Sequence, residues 1–457
     1  MNRQYIGARY VPLFADPIEW NDQKVYEPLT IVTYMGSSYT SRKRVPAGVR
    51  PTDNVYWALT GNYNAQVEQY RQEVAKHTQE VEELTGKVVT GILPEAYGAI
   101  GDGVTDDTNA IKQAVAECKA NGGVLWLTRH YKITAPIGDI GNISVTGYGS
   151  KITSTYEGAD PLFVVGYGKI RGVCVISNET HSGAIFECHD WNSLSFEDIT
   201  LFYSKYGINF DNTASSFACY ISGFNISGAS EAGIRAFNCA DIFIDKGVVH
   251  GCKNGIQVDK INGLYVSNID IIACDVAFQV HYYGANNGSM FFSNVLFDTS
   301  NVSNFRTDGL VGTYGSGTMH FTNCWFSNCQ ATESVYLGSA TNVQFTGCTF
   351  HYARGMALIV TDCKCVKIVG CTFFANSNSN HAHISVHSSD GTVINGCTIG
   401  GVGSGVFAGY KGFRPIEMTD CTNSVITGNY AYDNLDNDIS GVGSTDLVKN
   451  NIGITDR

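Results

Sequence analysis

Acidic residues and one arginine recur in similar segments in the middle of the chain. Asp211, Arg235 and Asp259 each lie in a segment that begins Gly-Ile, and Glu231 comes just before the second segment. Hydrolysis of a glycosidic bond uses two carboxyl groups, one that donates a proton to the leaving oxygen and one that activates water or attacks the sugar. These residue types make Asp211, Glu231, Arg235 and Asp259 the candidate catalytic group for such a reaction. β-Elimination from a uronic acid is the alternative, in which Arg235 or a Ca²⁺ ion neutralises the sugar carboxylate. We otherwise expect no cofactor and no metal.

The same segments carry polar and aromatic residues between apolar ones. Side chains alternate along a strand, so the Ile, Phe and Val residues are expected to point inward and the residues between them outward. Aligned in this way, the segments form two adjacent exposed rows of side chains. The first row holds Asn209, Arg235, Gln257 and Gln279, and the second holds Asp211, Phe237, Asp259 and His281. We expect the substrate to be bound by Asn209, Phe237, Gln257, Gln279 and His281.

The spacing of the acids leaves alternatives open. If the segments are successive layers about 4.8 Å apart, Asp211 and Asp259 lie two layers apart, about 10 Å, at the wide limit for an inverting pair. Glu231 would lie on the layer between them. Glu197 and Asp245 form a second outward pair with the same spacing. Exposed Asp residues also occur at turns for purely structural reasons, so these acids can have no catalytic role.

A degenerate repeat explains why such segments would stack. Two or three alternating apolar residues are followed by Gly or Asn, a small residue and another short strand. The clearest copies centre on Cys324, Cys348, Cys371 and Cys397, which are 24, 23 and 26 residues apart, and weaker copies place Tyr148 and Val173 at the same position. A β-pattern repeat of this length predicts a solenoid in which each coil has three short strands. The four cysteines then form one buried column and are expected to pack as reduced thiols.

Two smaller regions precede the repeats. Residues 1–62 contain strand-like stretches and many aromatic residues, which predict a small β-rich module with an aromatic core. Residues 63–86 predict a helix in which Val67, Tyr70, Val74, Val81 and Leu84 follow heptad spacing, with His77 at the remaining seam position. This pattern favours a self-associating coiled coil over an amphipathic helix packed on a core, although Val at each a position would by itself favour a dimer. Residues 87–457 form the third region.

Two motifs resemble known proteins. Tyr-Gly-Ala-Ile-Gly-Asp-Gly-Val-Thr-Asp-Asp-Thr at 97–108, a predicted helix at 109–121 and Gly-Gly-Val-Leu-Trp-Leu at 122–127 resemble the N-terminal motif of pectate-lyase-like β-helix proteins, which include phage tail spikes and glycan depolymerases. Segments 26–34 and 61–67 are similar to the N-terminal region of tail-appendage proteins from short-tailed phages of Gram-positive bacteria. The resemblance implies an all-β fold, a right-handed single-stranded parallel β-helix with an N-terminal capping helix, preceded by the coiled-coil helix and the small β-rich domain.

The resemblance also implies a function and partners. The chain would be a homotrimeric virion component, assembled in the host cytoplasm and docked to phage tail or collar proteins through its N-terminal domain. It would bind and depolymerise a bacterial surface glycan, such as capsule, cell-wall polysaccharide or teichoic acid. A non-catalytic trimeric receptor-binding adhesin and a structural virion appendage are the alternatives.

Composition excludes other classes of function. The net charge of −12 argues against a broad nucleic-acid interface, which needs a basic face. No apolar run approaches the roughly 20 residues of a membrane helix, and the first residues lack the apolar core of a signal peptide. We therefore expect neither nucleic-acid binding nor membrane insertion.

Overall fold

The computed structural model describes residues 18–61, 70–80, 91–189, 192–282, 288–309, 317–377, 380–401 and 409–455. The chain divides into two compact units, Met1–Val89 and Thr90–Arg457.

The first unit contains a four-stranded sheet with an aromatic core. Its strands are β1 (Ile18–Glu19), β2 (Ile31–Tyr34), β3 (Ser37–Ser41) and β4 (Trp57–Gly61). Tyr26 and Trp57 are buried and meet edge to face, with ring centroids 5.3 Å apart. Trp20 and Tyr34 form a second edge-to-face pair at 5.2 Å. The expected small β-rich module is therefore present, and the aromatic residues that predicted it form much of its core.

A helix, α1, covers residues 70–80. Tyr70 and Val74, both on the predicted heptad seam, are exposed in the single chain. The other seam residues that lie outside 70–80 are not among the described residues, so the coiled coil stays a prediction. Within the described residues no helix is long and apolar enough to cross a membrane.

The second unit begins with a cap that covers one end of the coils. It comprises a 3₁₀ turn at Pro94–Tyr97 and helix α2 at Thr108–Asn121, one residue longer than expected. Asp107 is buried, and its carboxylate accepts hydrogen bonds from the backbone N–H groups of Ile100 and Gly101. This carboxylate holds the preceding loop against the start of the helix. Gly122 ends α2 with a φ of +77°, a conformation that favours glycine.

Three columns of short parallel strands form the body of this unit. Column A contains β5 (Gly91–Ile92), β7 (Val124–Trp126), β10 (Ser144–Thr146), β13 (Gly168–Arg171), β16 (Asn192–Glu197), β20 (Met290–Ser293), β23 (Met319–Thr322), β26 (Val343–Thr346), β29 (Lys367–Val369), β32 (Val393–Asn395), β35 (Val425–Thr427) and β37 (Leu447–Lys449). Column B contains β6 (Asp102–Asp106), β8 (His130–Ile133), β11 (Lys151–Ser154), β14 (Cys174–Ile176), β21 (Leu296–Asp298), β24 (Trp325–Ser327), β27 (Thr349–His351), β30 (Thr372–Phe374), β33 (Thr398–Gly400) and β36 (Tyr430–Tyr432). Column C contains β9 (Gly138–Gly141), β12 (Phe163–Val165), β15 (Ala184–Cys188), β19 (Val276–Tyr282), β22 (Ser303–Gly309), β25 (Glu333–Gly338), β28 (Met356–Thr361), β31 (Ile384–His387) and β34 (Ile416–Thr419).

Two long strands, β17 (Thr200–His250) and β18 (Asn254–Ile272), pass through all three columns. The result is a parallel solenoid of about 13 turns. Each coil pairs in parallel register with the coil before and the coil after it, so residues more than 20 positions apart in sequence lie one above the other.

The repeat that predicted the solenoid corresponds to one turn and one inward side chain. Asn323, Gly347, Gly370 and Gly396 have φ values of 53°, 63°, 62° and 63°, and each precedes a cysteine of the repeat. A left-handed residue suits Gly or Asn at low steric cost and redirects the chain between strands. All fifteen cysteines are reduced, and those of the repeat are buried, as expected.

One weak copy of the repeat was aligned incorrectly. The pairing of Val145 with Ile170 before the turn aligns Val173 with Tyr148, whereas the pairing of Ile152 with Val175 after the turn aligns Val173 with Ser150. Ser150 is buried, whereas Tyr148 is 59% exposed. The turn between β10 and β11 is two residues longer than the turn between β13 and β14. The longer turn moves the buried position from Tyr148 to Ser150.

Candidate functional site: an outward polar ladder

The register of column C brings the predicted site residues into two adjacent rows. Asn209 pairs with Glu187, Arg235 with Gln257, and Gln257 with Gln279. The residues between them, such as Ile234 and Ile256, are fully buried. We name the outward set the polar ladder, and its two rows contain Glu187, Asn209, Arg235, Gln257, Gln279 and Arg306, and Asp211, Phe237, Asp259, His281 and Asp308.

Glu187 begins the ladder and was missed by the sequence alignment. The amide nitrogen of Asn209 donates to both carboxylate oxygens of Glu187, at 2.8 Å each. Burial raises the pKa of the Glu187 carboxyl above its ordinary value, although the Asn209 hydrogen bond opposes the shift. Glu187 is therefore a carboxyl group poised to carry a proton.

Arg235 connects the first rungs of the ladder. Its Nη1 donates to Asn209 Oδ1 at 2.9 Å and lies 3.5 Å from Asp211 Oδ2. Asn209 was expected to be exposed, but it is only 5% exposed because Glu187 and Arg235 flank it on the neighbouring coils. Its role in the free protein is to hold these two side chains.

Asp211 lies close to the ring of His189. His189 Nδ1 is 2.8 Å from the main-chain oxygen of Asp211, and Nε2 is 3.6 Å from Glu187 Oε1. His189 therefore bridges the two neighbouring rungs that carry Glu187 and Asp211. The Arg235 guanidinium lies within reach of negative charge that develops between the two carboxyl groups.

Asp259 is the second carboxyl group of the ladder with a perturbed pKa. Burial raises its pKa, and the charges of His281, Lys260 and Arg235 oppose the shift. Its Oδ1 is buried and accepts no hydrogen bond from the described part of the chain. A buried carboxyl oxygen without a donor favours the protonated form.

Beyond Asp259 the ladder continues as a linked set of amide, imidazole and carboxylate groups. Gln257 Nε2 donates to His281 Nε2 at 2.9 Å, and His281 Nδ1 lies 2.7 Å from Asp308 Oδ1. Gln279 Nε2 donates to the other oxygen of Asp308 at 3.0 Å. Asp308 was also missed by sequence reasoning, and its carboxylate lies beside the His281 nitrogen that faces away from Gln257.

Phe237 and Glu231 occupy different settings. Phe237 has the cations of Lys260 and Arg235 at 4.9 and 5.7 Å from its ring centroid. Glu231 lies in β17 just before the segment that pairs in column C, and both of its carboxylate oxygens accept from Lys253 Nζ, at 3.0 and 3.1 Å. Phe237 is thus part of the ladder, whereas Glu231 is engaged at its margin.

Glu187 and Asp308 belong to the same alternating pattern as the predicted residues. The sequence Ala-Ile-Phe-Glu-Cys at 184–188 repeats the pattern one coil earlier, and extending the alignment in that direction would have found Glu187. Asp308 lies near the end of β22 and follows its partner His281 by 27 residues, whereas His281 follows Asp259 by 22, so the longer coil hides the repeat. Among the described residues, no group of three His, Cys, Asp or Glu side chains is placed to hold a metal ion.

The chain folds as a parallel β-helix and carries an outward ladder of acids, amides and two arginines on one strand column. These features define the class of this protein. The chain belongs to the right handed beta helix region family, whose model matches residues 182–333 and 311–455. The coils are accordingly right-handed, as the resemblance implied.

Three of the proteins that this chain is similar to are phage proteins. The capsule K30/K69-specific depolymerase of Klebsiella phage K64-1 is 22% identical over 308 residues, which is 63% of this chain and 31% of the relative. Tailspike protein 3 of bacteriophage CBA120 is 14% identical with a TM-score of 0.62, over 97% of this chain and 79% of that chain. The pre-mature gene product 12 of bacteriophage phi29 is 16% identical with a TM-score of 0.63, over 84% of this chain and 57% of that chain. This chain thus spans about a third of the length of the curated relative. The two solved structures share the fold of this chain.

Proposed function

We propose that this chain is a phage tail spike that binds and depolymerises a bacterial surface glycan at the polar ladder. The observation that carries the proposal is the placement of Glu187, Asp211 and Asp259 around Arg235 on one outward strand column. The names of the similar proteins support it, since one is a capsule depolymerase and another a tailspike. Capsule, cell-wall polysaccharide and teichoic acid are the candidate substrates.

Hydrolysis is the reaction that this geometry supports best. Glu187 is the proposed proton donor, because burial raises the pKa of its carboxyl. Asp211 is the proposed base or nucleophile, and it lies on the next rung, two residues along from the partner of Glu187. A strand spacing of about 4.8 Å and a rise of about 6.6 Å over two residues put the two Cα atoms about 8 Å apart. Side chains on such a backbone can bring the two carboxyl groups to the roughly 5–5.5 Å of retaining enzymes or to the roughly 6.5–9.5 Å of inverting enzymes, so Asp211 is proposed as nucleophile or as base.

Asp259 is a second candidate for the proton donor. Its pKa is also raised by burial, but it lies two rungs from Asp211, or about 10 Å. Arg235 is placed between the two acids and is proposed to stabilise negative charge on Asp211 and on the sugar. Glu231 is the weakest of the predicted catalytic residues because Lys253 already engages its carboxylate.

The remaining ladder residues are proposed to bind the glycan. Gln257, Gln279 and His281 present amide and imidazole groups along the helix axis, which suits a polymer that lies parallel to that axis. Phe237 adds an aromatic surface for a sugar ring. Asn209 is proposed to act through Glu187 and Arg235, since it is buried between them.

Two rival functions are each favoured by one observation. A lyase would use Arg235 to neutralise a uronate, with Ca²⁺ as a further possible cation, and the guanidinium does lie beside a carboxylate base. A non-catalytic adhesin is favoured because Glu187 and Asp211 already have polar partners in the free chain.

We further infer a homotrimer held to the phage tail or collar by the N-terminal unit and assembled in the host cytoplasm.

Incubation with purified surface polymers tests the proposal. The full chain is mixed with capsule, cell-wall polysaccharide or teichoic acid, and polymer length and reducing ends are followed. We expect reducing ends to appear without the ultraviolet absorbance of an unsaturated uronate, and Asp211→Asn to abolish their release while binding persists. Glu231→Gln is the matched control and should keep most activity. Binding of a polymer that the wild-type chain never shortens would establish the adhesin, and ultraviolet absorbance would establish the lyase.

A further inference from the structure

The outward face of column A carries a stack of aromatic rings. Tyr220, Phe243, Tyr265 and Phe291 lie on successive rungs, with centroids 4.8, 4.7 and 5.2 Å apart and ring planes within 9°, 5° and 14° of parallel. Phe243 and Tyr265 are covered on both faces by their neighbours, so that only their edges meet solvent. A ring face is open only where the stack ends.

Tyr220 is the terminal ring of the stack, and it lines a cavity. Its partner on the preceding rung is Ser195, whose small side chain cannot continue the stack. The tyrosine is 51% exposed, and the described residues place no other ring on this side of it. A cavity of about 570 Å³ fills the space, and its walls include Lys169, Ser195, Glu197, Asp198, Tyr220 and Ser222. Small-molecule sites in proteins commonly have volumes of roughly 300–1,000 Å³.

The polar wall of the cavity is rigidly held. Glu197 lies 2.8 Å from Arg171 Nε, and its other oxygen accepts from Ser195 Oγ at 2.8 Å. Asp198 accepts from the hydroxyl group of Tyr148 at 3.0 Å. A side chain at Gly223 would clash with this carboxylate, since its Cβ would lie 2.3 Å from Asp198 Oδ1. Fixed acceptors beside an open aromatic face match a sugar, which has an apolar C–H face and hydroxyl groups around its edge.

The charged residues around the cavity restrict the class of sugar that it can bind. The cavity walls include Lys169, Glu197 and Asp198, and with Arg171 beside Glu197 the two cations and two carboxylates balance. Arg171 pairs with Glu197 from outside the wall. Neutral sugars, including N-acetylated amino sugars, are therefore favoured over uronates and phosphates, because the site offers these anions no surplus positive charge.

Glu197 in the cavity differs from Glu187 in the polar ladder in the direction of its pKa shift. Burial raises the pKa of Glu197, but hydrogen bonds from Ser195 and Arg171 more than offset it, so that the pKa lies below its ordinary value. Such a carboxylate is a hydrogen-bond acceptor and a poor proton donor at neutral pH. This wall of the helix is thus equipped for binding without cleavage.

We propose that the cavity below Tyr220 binds one neutral sugar residue of a glycan, with the sugar ring stacked on the open face of Tyr220 and its hydroxyl groups bonded to Glu197, Asp198 and Ser222. The sugar extends the aromatic stack by one rung. The site lies on column A, whereas the polar ladder lies on column C, so it retains a glycan independently of the cleaving residues. It rests on the proposed function only for the identification of a glycan as the ligand.

Titration of the full chain with single sugars tests this site. The probes are glucose, N-acetylglucosamine, glucosamine and glucuronate, and the dissociation constants are measured by NMR titration at fixed ionic strength. We expect saturable binding of at least one neutral sugar, at least five-fold weaker binding of glucuronate than of glucose, and at least a ten-fold loss in Tyr220→Ala. Tyr265→Ala is the matched control from the middle of the stack, and its constant should change less than two-fold.

Three results would overturn the site. The first is that none of the four sugars binds saturably. The second is that Tyr220→Ala and Tyr265→Ala lose sugar affinity equally. The third is that Tyr220→Ala forms a smaller oligomer in sedimentation, which would make the ring a contact between copies of this chain. If Tyr220→Ala fails to fold, Glu197→Gln must weaken the sugar complex at least three-fold. Asp211→Asn separates the two proposals, because a chain that has lost cleavage should keep its sugar affinity.

Discussion

Replacement of Glu187 by Gln tests the assignment of the proton donor. The glutamine keeps the shape of the side chain and can still accept one hydrogen bond from Asn209, but it cannot deliver a proton. General acid catalysis contributes roughly 10²- to 10⁴-fold to the rate, so we expect kcat on the cleaved polymer to fall by about that factor with little change in KM.

Stability should change little in this variant. One of the two contacts with Asn209 becomes a repulsive meeting of two amide NH₂ groups, and a hydrogen bond of this kind is worth about 1 kcal/mol. The loss is opposed because burial disfavours the carboxylate form of Glu187, and glutamine removes that cost. The free energy of unfolding is therefore expected to stay within about 1–2 kcal/mol of the wild-type value.

The raised pKa of Glu187 sets the direction in which stability and cleavage change with pH. The folded-state pKa of Glu187 is raised, so the native chain holds this proton more tightly than the unfolded chain does. The resulting stabilisation is present at acidic pH and is lost as pH rises from the ordinary glutamate value through the folded pKa. Relative to wild type, the melting temperature of Glu187→Gln should therefore increase with pH across this window. Cleavage by the wild type should fall as pH rises through the same pKa, and Glu187→Gln should lack that limb.

Glu231→Gln is the matched control, because it makes the same change in a carboxylate engaged by Lys253 at the margin of the ladder. Its kcat should stay within two- to three-fold of wild type. Retention of full activity by Glu187→Gln, together with a large loss in Asp259→Asn, would refute the assignment and move the proton donor to Asp259.

Three further predictions concern the fold and the assembly. Phe350→Ala removes a fully buried ring stacked at 4.7 and 4.5 Å on its two neighbours, so chemical denaturation should show a loss of about 3–5 kcal/mol, and an unchanged midpoint would contradict the packing. A thiol reagent should modify Cys365 first in the native chain, since it is exposed, Cys174 is half-buried and the other thirteen cysteines are buried; Cys365→Ser should remove this fast phase. Val74→Asp, at a seam position that is 65% exposed in the single chain, should dissociate the proposed trimer in sedimentation, whereas Gln79→Asp, off the seam, should not.

Much of the fold is readable from the sequence because its signals are local. The Gly or Asn of each repeat answers the need for a left-handed turn residue, and the cysteine after it fills an inward position of fixed size. Alternation of apolar and polar residues at 207–281 was enough to align four coils, and the register of Arg235 with Gln257 and Gln279 confirms that alignment. The aromatic residues before position 62 indicated a small β core for the same reason.

The candidate site was only partly readable, because its properties depend on neighbours in other coils. Asn209 was correctly placed in its row, but its burial follows from Glu187 and Arg235 on the adjacent rungs. Whether Glu197 or Glu187 is a proton donor cannot be read from residue type, since the two pKa values shift in opposite directions.

The sequence by itself determined the coil, its inward and outward faces and the residues that can lie on each face, since these depend on residue size, turn conformation and a period of two along each strand. The tertiary structure alone decided which outward residues meet, because turns of unequal length set the register from one coil to the next. Ser150 in place of Tyr148, Glu187 beside Asn209 and the open face of Tyr220 all follow from that register.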